Sequence, residues 1–352
     1  MAALPRSDRV VLAGVAVFTA LAGIAHYSGW ASLLAFVLAT LALAGLAHAV
    51  SLATEQVGER FGPAVTGVMQ STLGNLPELF VVLFALHQGE TVVAQTSIIG
   101  SLFANALLVL GLVIVVGARA SEDGMMRFRR RLPNDTATLL LVTSFIIVIV
   151  GLAHASHDPA ARHERGLSTI AAVALLAVYI AWVIPYLRGD APDAPPAEEP
   201  RVPLTLSVAL LAAGGAGSAF VSDWFVAALR PTIDQLGVSD AFAGLVVVAI
   251  AGNAVENVAG IVLAHKGQPD LAISVVKNSV AQVAAFLYPV LVLISLSFAH
   301  QLTFGLAPVY IGALLLTALA VWQITGDGEA VAFEGWALVA IYVILAALTL
   351  YQ

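Results

Sequence analysis

Eleven apolar runs divide the chain from end to end, each near or above the roughly 20 residues that carry a helix across a bilayer. They cover about 10–27, 31–53, 63–87, 91–117, 134–153, 167–187, 203–229, 240–264, 269–298, 304–324 and 332–351. Hydrocarbon offers no hydrogen-bond partners, so every run must satisfy its backbone internally, as a helix or within a closed barrel. The runs are long and lack period-two alternation, which predicts an all-α integral membrane protein with eleven transmembrane helices. Composition agrees: 60% of residues are hydrophobic and 11% charged, against about 25% charged in soluble domains. The first run, after "MAALPRSDR", carries no convincing cleavage site and is expected to remain as a membrane helix.

The connectors are short. Residues 118–135 are basic, and 188–201, "RGDAPDAPPAEEPR", form an acidic, Pro-rich linker. With the N-terminus in the cytoplasm, Arg6, Arg9, Arg60, Arg119, Arg127, Arg129, Arg130, Arg131, Arg188, Arg201 and Lys266 fall on the cytoplasmic side. Only Arg162, Arg165 and Arg230 fall outside, and Lys277 lies within a span. That asymmetry obeys the positive-inside rule and predicts a multi-pass protein of the cell (inner) membrane. The net charge of −7 argues against a nucleic-acid partner. The absence of Cys excludes disulfides, thiolate metal sites and Cys nucleophiles.

The third run carries Asn75, Pro77 and Glu78 in its middle. A carboxylate there costs about 2.5–3.5 kcal/mol on insertion scales and points to function. The same pattern returns. "GNLPELFVVLFALHQGETVVAQTSIIGS" (74–101) and "GNAVENVAGIVLAHKGQPDLAISVVKNS" (252–279) match without gaps at a constant offset of 178: Gly74/Gly252, Asn75/Asn253, Glu78/Glu256, His87/His265, Gly89/Gly267, Ala94/Ala272 and Ser101/Ser279. The two runs are five spans apart and cross the membrane in opposite directions. The expected organisation is an extra N-terminal helix (1–30), a five-helix repeat (31–187), a cytoplasmic linker (188–202) and a second, inverted five-helix repeat (203–352). Inverted repeats place a substrate site near the midplane, where the halves meet.

Each motif reads G-N-x-x-E, with Asn and Glu on one helix face. Pro77 cannot donate to the Leu73 carbonyl, which is expected to be free. Two carboxylates, two amide oxygens and backbone carbonyls make an oxygen-rich site suited to Ca²⁺. Ser97, Gly100, Ser101 and Asn105 in the fourth run, and Ser274, Asn278, Ser279 and Gln282 in the ninth, add polar groups. One Ca²⁺ or two protons neutralise a carboxylate pair equally well, which gives a physical basis for exchange. The metal-ligand candidates are therefore Glu78, Glu256, Asn75, Asn253, Ser101, Asn105, Ser279 and Gln282. Ca²⁺ and H⁺ are expected as cargo and the bilayer as solvent, with no resident cofactor.

"GNLPEL" with "IIGSLFANALLVLG", and "GNAVEN" with "NSVAQ", resemble the two α-repeat motifs of the Ca²⁺/H⁺ antiporters, within the cation/Ca²⁺ exchanger superfamily. The resemblance implies an eleven-helix antiporter in which Glu78 and Glu256 carry ion and proton and spans 2 and 7 gate access. The chain departs from the pattern at Asn257, where relatives usually have His, and at Lys277-Asn278-Ser279 in place of Gly-Ser. The alternatives are the same machine with another cation (Na⁺/H⁺ or Na⁺/Ca²⁺), a channel, or an intramembrane enzyme. The enzyme reading is disfavoured because H-E-x-x-H and G-x-S-x-G are missing.

Plainer roles compete elsewhere. The Ser, Asn and Gln side chains could serve only to hold helices together. Lys277 is expected to turn about 200° from Ser279 and to snorkel to the cytoplasmic interface. Glu55 and Glu59 stand at a solvated helix end or in a cation funnel, and Asp223 is a weaker candidate for the outer mouth. "HASHDPAARHE" (154–164) reads as a solvated loop rather than a metal site.

Overall fold

Most of the apolar runs appear as helices that start and stop close to the expected positions. The structure, a computed structural model, describes residues 6–58, 60, 69, 72–129, 131–187 and 202–352. The side chains of residues 6, 7, 131–135, 185–187, 255 and 256 lie outside that description. Glu59 and the acidic linker 188–201 therefore fall outside the described residues. Among those described, nine helices are long and apolar enough to cross a membrane, and one further span is a helix pair bent by 58° between Asp240–Gly252 and Asn257–His265. The chain is thus a mostly helical, multi-pass membrane protein.

In chain order the elements are α1 (Arg6–Tyr27), α2 (Ser32–Gly58), α3 (Leu76–His87), α4 (Thr91–Phe103), α5 (Leu110–Ala120), β1 (Met125–Arg127), α6 (Arg131–Ala155), α7 (Glu164–Leu187), α8 (Leu204–Leu236), α9 (Asp240–Phe242), α10 (Ala249–Gly252), α11 (Ala254–His265), α12 (Pro269–Gln282), α13 (Tyr288–Ser295), α14 (Pro308–Thr325), β2 (Glu329–Val331) and α15 (Ala332–Leu350). π-Helical segments Ala104–Val109, Ala243–Val248 and Val283–Leu287 join α4 to α5, α9 to α10 and α12 to α13.

The helices group into two compact units, each drawing on both halves of the sequence. The first comprises residues 1–88 and 180–238. Its centre is the packing of α2 on α8. Gly214 sits against Val50 and Gly217 against Leu46, so a Cβ at either position would crowd a side chain. Small residues let membrane helices approach closely, where packing replaces the hydrophobic effect as the driving force. Phe36 and Phe225 pack within the same interface, their rings tilted by 34° with centroids 4.8 Å apart.

The second unit comprises residues 89–179 and 239–352. Here α4 crosses the π-segment Ala243–Val248 almost backbone to backbone. A Cβ on Gly100 would overlap the main chain of Leu245, and one on Gly244 would overlap Thr96. Gly111 and Gly335 allow the same approach of α5 to α15, and Gly151 lies against Ile311 between α6 and α14. At one end β1 pairs antiparallel with β2, Met125 opposite Val331 and Arg127 opposite Glu329. At the other, Glu164 accepts from Thr303 and meets His154 at 2.7 Å, while Gln95 and Tyr288 donate to the Thr303 carbonyl. The 154–164 loop thus acts as a fastening for the 302–305 segment. Among the described residues no group of three or more His, Asp or Glu could hold a metal.

The break in the first motif corrects one expectation. The helix is interrupted by a turn at Gly74–Asn75, before the proline, and Pro77 lies in the first turn of α3. A proline in that position costs no hydrogen bond, because the first-turn N–H groups have no intrahelical acceptor anyway. Pro77 therefore helps to start a helix, and the Leu73 carbonyl stands before the break and not within a continuous helix. Its own carbonyl accepts a 3.4 Å bond from Ser222 on α8.

Candidate functional site

Both motif asparagines stand at helix starts. Asn75 is the N-cap residue of α3 and Asn253 that of α11, and neither uses its side chain as a cap. Asn253 is turned elsewhere. Its Nδ2 donates to Ser101 Oγ on α4 at 2.9 Å and to the Ala249 carbonyl at 3.0 Å. Asn105, in the π-segment that follows α4, donates to Ser279 Oγ on α12 at 3.0 Å and to Asn253 Oδ1 at 3.4 Å. Four of the eight candidates, Ser101, Asn105, Asn253 and Ser279, thus form one network inside the second unit, each no more than 3% exposed.

The local backbone explains how four separate segments reach one point. Asn253 sits at the bend of its span, where the helix pauses for one residue between α10 and α11. Asn105 is the second residue of a π-segment. The wider turn shifts the phase of the side chains that follow, and such segments concentrate at functional sites. The amide N–H groups are used to tie the network together. Hydroxyl and amide oxygens remain as the chemically relevant lining, the donor type that hard cations prefer. Gln282 stands half-buried at the last position of α12, one turn beyond Ser279, and takes no part in this network.

Glu78 and Asn75 belong to the first unit, each 5% exposed. Glu78 lies in the first turn of α3, where the positive end of the helix dipole favours a carboxylate. The backbone of Glu256 holds the matching place in the first turn of α11; its side chain is outside the described residues. Glu55 is half-buried near the end of α2. Asp223 accepts from Gln88 at 3.4 Å in an exposed setting.

Lys277 does not snorkel. It is 3% exposed, and its Nζ donates to Thr325 Oγ1 at 2.6 Å. Thr325 closes the last turn of α14, and its hydroxyl donates to the Val321 carbonyl at 2.7 Å. The negative end of a helix dipole and a hydroxyl acceptor offer the amine a destination inside the bundle, which removes the need to reach the interface. Geometry did predict the other half correctly: Ser279 faces Asn105, while Lys277 faces α14. The tenth run was drawn to end at residue 324, one short of Thr325, so this partner was missed. Polar residues at Thr317 and Thr325, eight apart and both buried, were the available signal.

The chain matches the sodium/calcium exchanger protein family over residues 31–186 and 206–351. It is 31% identical to a Ca²⁺/H⁺ antiporter of Synechocystis sp., over 94% of each chain. It is 28% identical to the Ca²⁺/H⁺ antiporter ChaA of Bacillus subtilis, over 96% of this chain and 98% of that one. The solved structure of native YfkE superposes with a TM-score of 0.81 at 26% identity, covering 97% of this chain and all of that one.

Proposed function

The chain belongs to the sodium/calcium exchanger protein family, and from that premise we propose how it exchanges Ca²⁺ for H⁺ across a membrane. Glu78 and Glu256 are the charge carriers. Both ionised, they bind Ca²⁺ together with the oxygens of Asn75, Asn253, Ser101, Asn105, Ser279 and Gln282. Both protonated, they are neutral and release it. The pair stabilises one cargo at the expense of the other because burial disfavours uncompensated charge. The site opens alternately to the two sides, with spans 2 and 7 moving. No catalytic bond chemistry is involved, and the protein is not an enzyme.

The observation that carries this reading is the buried network of Asn253, Ser101, Asn105 and Ser279. It joins the helix break of the second motif to the helices that follow both motifs. The inverted-repeat organisation, eleven spans with the first one extra, is supported by backbone features that share the 178 offset. Both motif helices restart after Asn, at Leu76 and Ala254, and end at His87 and His265. Gly89 and Gly267 both take positive φ, 85° and 69°. The next helices start at Thr91 and Pro269, again 178 apart, and both pass into π-segments, at Ala104 and, one residue off the offset, at Val283. The positive-inside count supports a cytoplasmic N-terminus in the cell membrane.

The test is uptake of radiolabelled Ca²⁺ into proteoliposomes under an imposed pH gradient or an imposed Na⁺ gradient. Uptake driven by the pH gradient, saturable and accompanied by H⁺ counterflow, is expected. Uptake driven by Na⁺ alone would transfer the protein to the Na⁺-coupled branch, and unsaturable downhill flux would make it a channel.

A further inference from the structure

The connector that reads as uniformly basic in sequence holds arginines of two kinds. Arg127 meets Asp123 at 2.7 Å and holds that carboxyl below the ordinary carboxylate range. Arg129 meets Asp270 at 3.7 Å, and its backbone N–H donates to the same carboxylate at 2.7 Å. Arg119, in the last turn of α5, is exposed, and among the described residues no carboxylate pairs with it. Its guanidinium stands instead 5.8 Å from the ring centroid of Trp336, near the start of α15.

The surroundings of that pair are those of a membrane rim. α5 ends and α15 begins at the end of the second unit that carries the β1–β2 pair. About two turns further in, Gly111 and Gly335 bring the two helices into backbone contact, so helices and not a loop set Arg119 beside Trp336. Trp336 is 47% exposed, and Phe333 beside it and Trp322 near the end of α14 are 71% and 52% exposed. Exposed rings at the ends of membrane helices sit at headgroup level, with an apolar side toward hydrocarbon. Nearby acids are engaged elsewhere: Glu334 accepts from the Val331 N–H and Asp327 from the Glu329 N–H. Glu122 and Glu329 are exposed, and neither pairs with Arg119.

We propose that Arg119 and Trp336 form a binding site for the headgroup phosphate of an anionic phospholipid. A guanidinium presents a planar fork of donors that matches two phosphate oxygens. The ring holds that fork in place by cation–π attraction. The exposed rings of Trp336 and Phe333 then meet the acyl chains, which a soluble phosphate could not supply. On the orientation proposed above this end meets the cytoplasmic leaflet, whose anionic lipids give the surface a negative potential. Arg119 follows Asn105 by fourteen residues, roughly 20 Å along a helix axis, so the lipid site is separate from the buried polar network.

The test uses full-length purified protein in detergent, with dioleoyl phosphatidylglycerol as probe and dioleoyl phosphatidylcholine and inorganic phosphate as comparisons. Bound lipid is counted by native mass spectrometry through a titration, and thermal unfolding is followed in parallel. The wild type should retain phosphatidylglycerol in preference to phosphatidylcholine and unfold at a higher temperature as it is added, while inorganic phosphate gives no such rise. Arg119→Gln and Trp336→Leu should need about fivefold more phosphatidylglycerol for the same effect, the weight of one basic residue at an anionic surface. Arg129→Gln, which removes an arginine already paired with Asp270, should titrate like the wild type. A wild type that does not distinguish the two lipids overturns the inference, as does an Arg119→Gln protein with a wild-type titration. Equal loss in Arg129→Gln also overturns it, because bulk charge and not a site is then responsible. Inorganic phosphate acting as well as phosphatidylglycerol would overturn the lipid assignment. Should Arg119→Gln fail to fold, Trp336→Leu carries the same comparison. None of these readouts depends on exchange activity.

Discussion

Lys277 and Glu78 show what a charged residue inside a membrane protein can and cannot reveal in advance. Both were conspicuous in the sequence, since ionisable groups in apolar runs are rare. That Lys277 would turn away from Ser279 was legible from helical period. The partner was not, because Thr325 lies 48 residues from Lys277 and only the fold brings them together. The amine faces α14 and not the Ser279–Asn105 network, so Lys277→Met should leave half-saturation by Ca²⁺ within about twofold of wild type. The pH optimum of exchange should move by less than about one unit, which corresponds to 1.4 kcal/mol. Thr325→Val removes a hydroxyl acceptor from a buried amine and should destabilise the protein by about 1–3 kcal/mol, read as a lower unfolding temperature. A large pH shift in Lys277→Met would place the amine at the ion site. Glu78→Gln should behave oppositely. The amide mimics the protonated carboxyl in shape and polarity, so the protein should fold with an unchanged unfolding temperature yet lose coupled exchange by at least a hundredfold. Near-normal flux in that variant would remove Glu78 from the carrier role.

Elements were easier to predict than their interruptions. Apolar length and period identify a span, but they say little about where a helix pauses, because a one-residue turn or a π-segment hardly alters hydropathy. Gly74–Asn75 and Gly252–Asn253 stand out as repeated residues whose glycines permit local unwinding, but nothing in hydropathy marks the pause itself. The π-segments after Phe103 and Gln282 were not foreseen. Glycines gave a clearer signal than the reading used. Gly100 was noted as a member of the polar fourth run, whereas its main role is to let α4 touch the main chain of Leu245. A side chain there would displace the backbone that carries both Ser101 and the start of the bent span. Gly100→Leu should therefore abolish exchange and lower the unfolding temperature, by overpacking that costs several kcal/mol at a backbone–backbone crossing. Gly14, whose added Cβ would meet nothing within 4 Å, is the matched control. Gly14→Leu should leave both measurements near wild type, and equal damage at the two positions would mean that close approach is not the cause.

Across the whole molecule, the arrangement of loops within each unit bears on the number of spans. In the first unit Arg60 donates to the Val202 carbonyl, and, at what the eleven-span scheme makes the other surface, Gln88 meets Asp223 and Ser32 meets Gln235. In the second unit β1 pairs with β2 and Arg129 with Asp270, while His154, Glu164 and Thr303 gather elsewhere. Asp223 lies within α8; every other pair joins loops or helix ends that an eleven-span chain with a cytoplasmic N-terminus puts on the same side. An odd span count between 120 and 330, or one helix failing to cross, would separate at least one pair by the thickness of the membrane. The chain has no Cys, so single substitutions can be labelled without background. Ser28→Cys and Ser156→Cys should react with a membrane-impermeant maleimide in intact cells. Glu122→Cys and Asp327→Cys, both exposed, should react only after permeabilisation, because they lie at the end that bears the basic connector and the β1–β2 pair. The reversed pattern at all four positions would keep the span count and invert the orientation, contrary to the positive-inside bias. Labelling of Glu122→Cys and Asp327→Cys on opposite sides would break the eleven-span scheme itself, since the strand pairing that joins their loops leaves no room for a membrane between them.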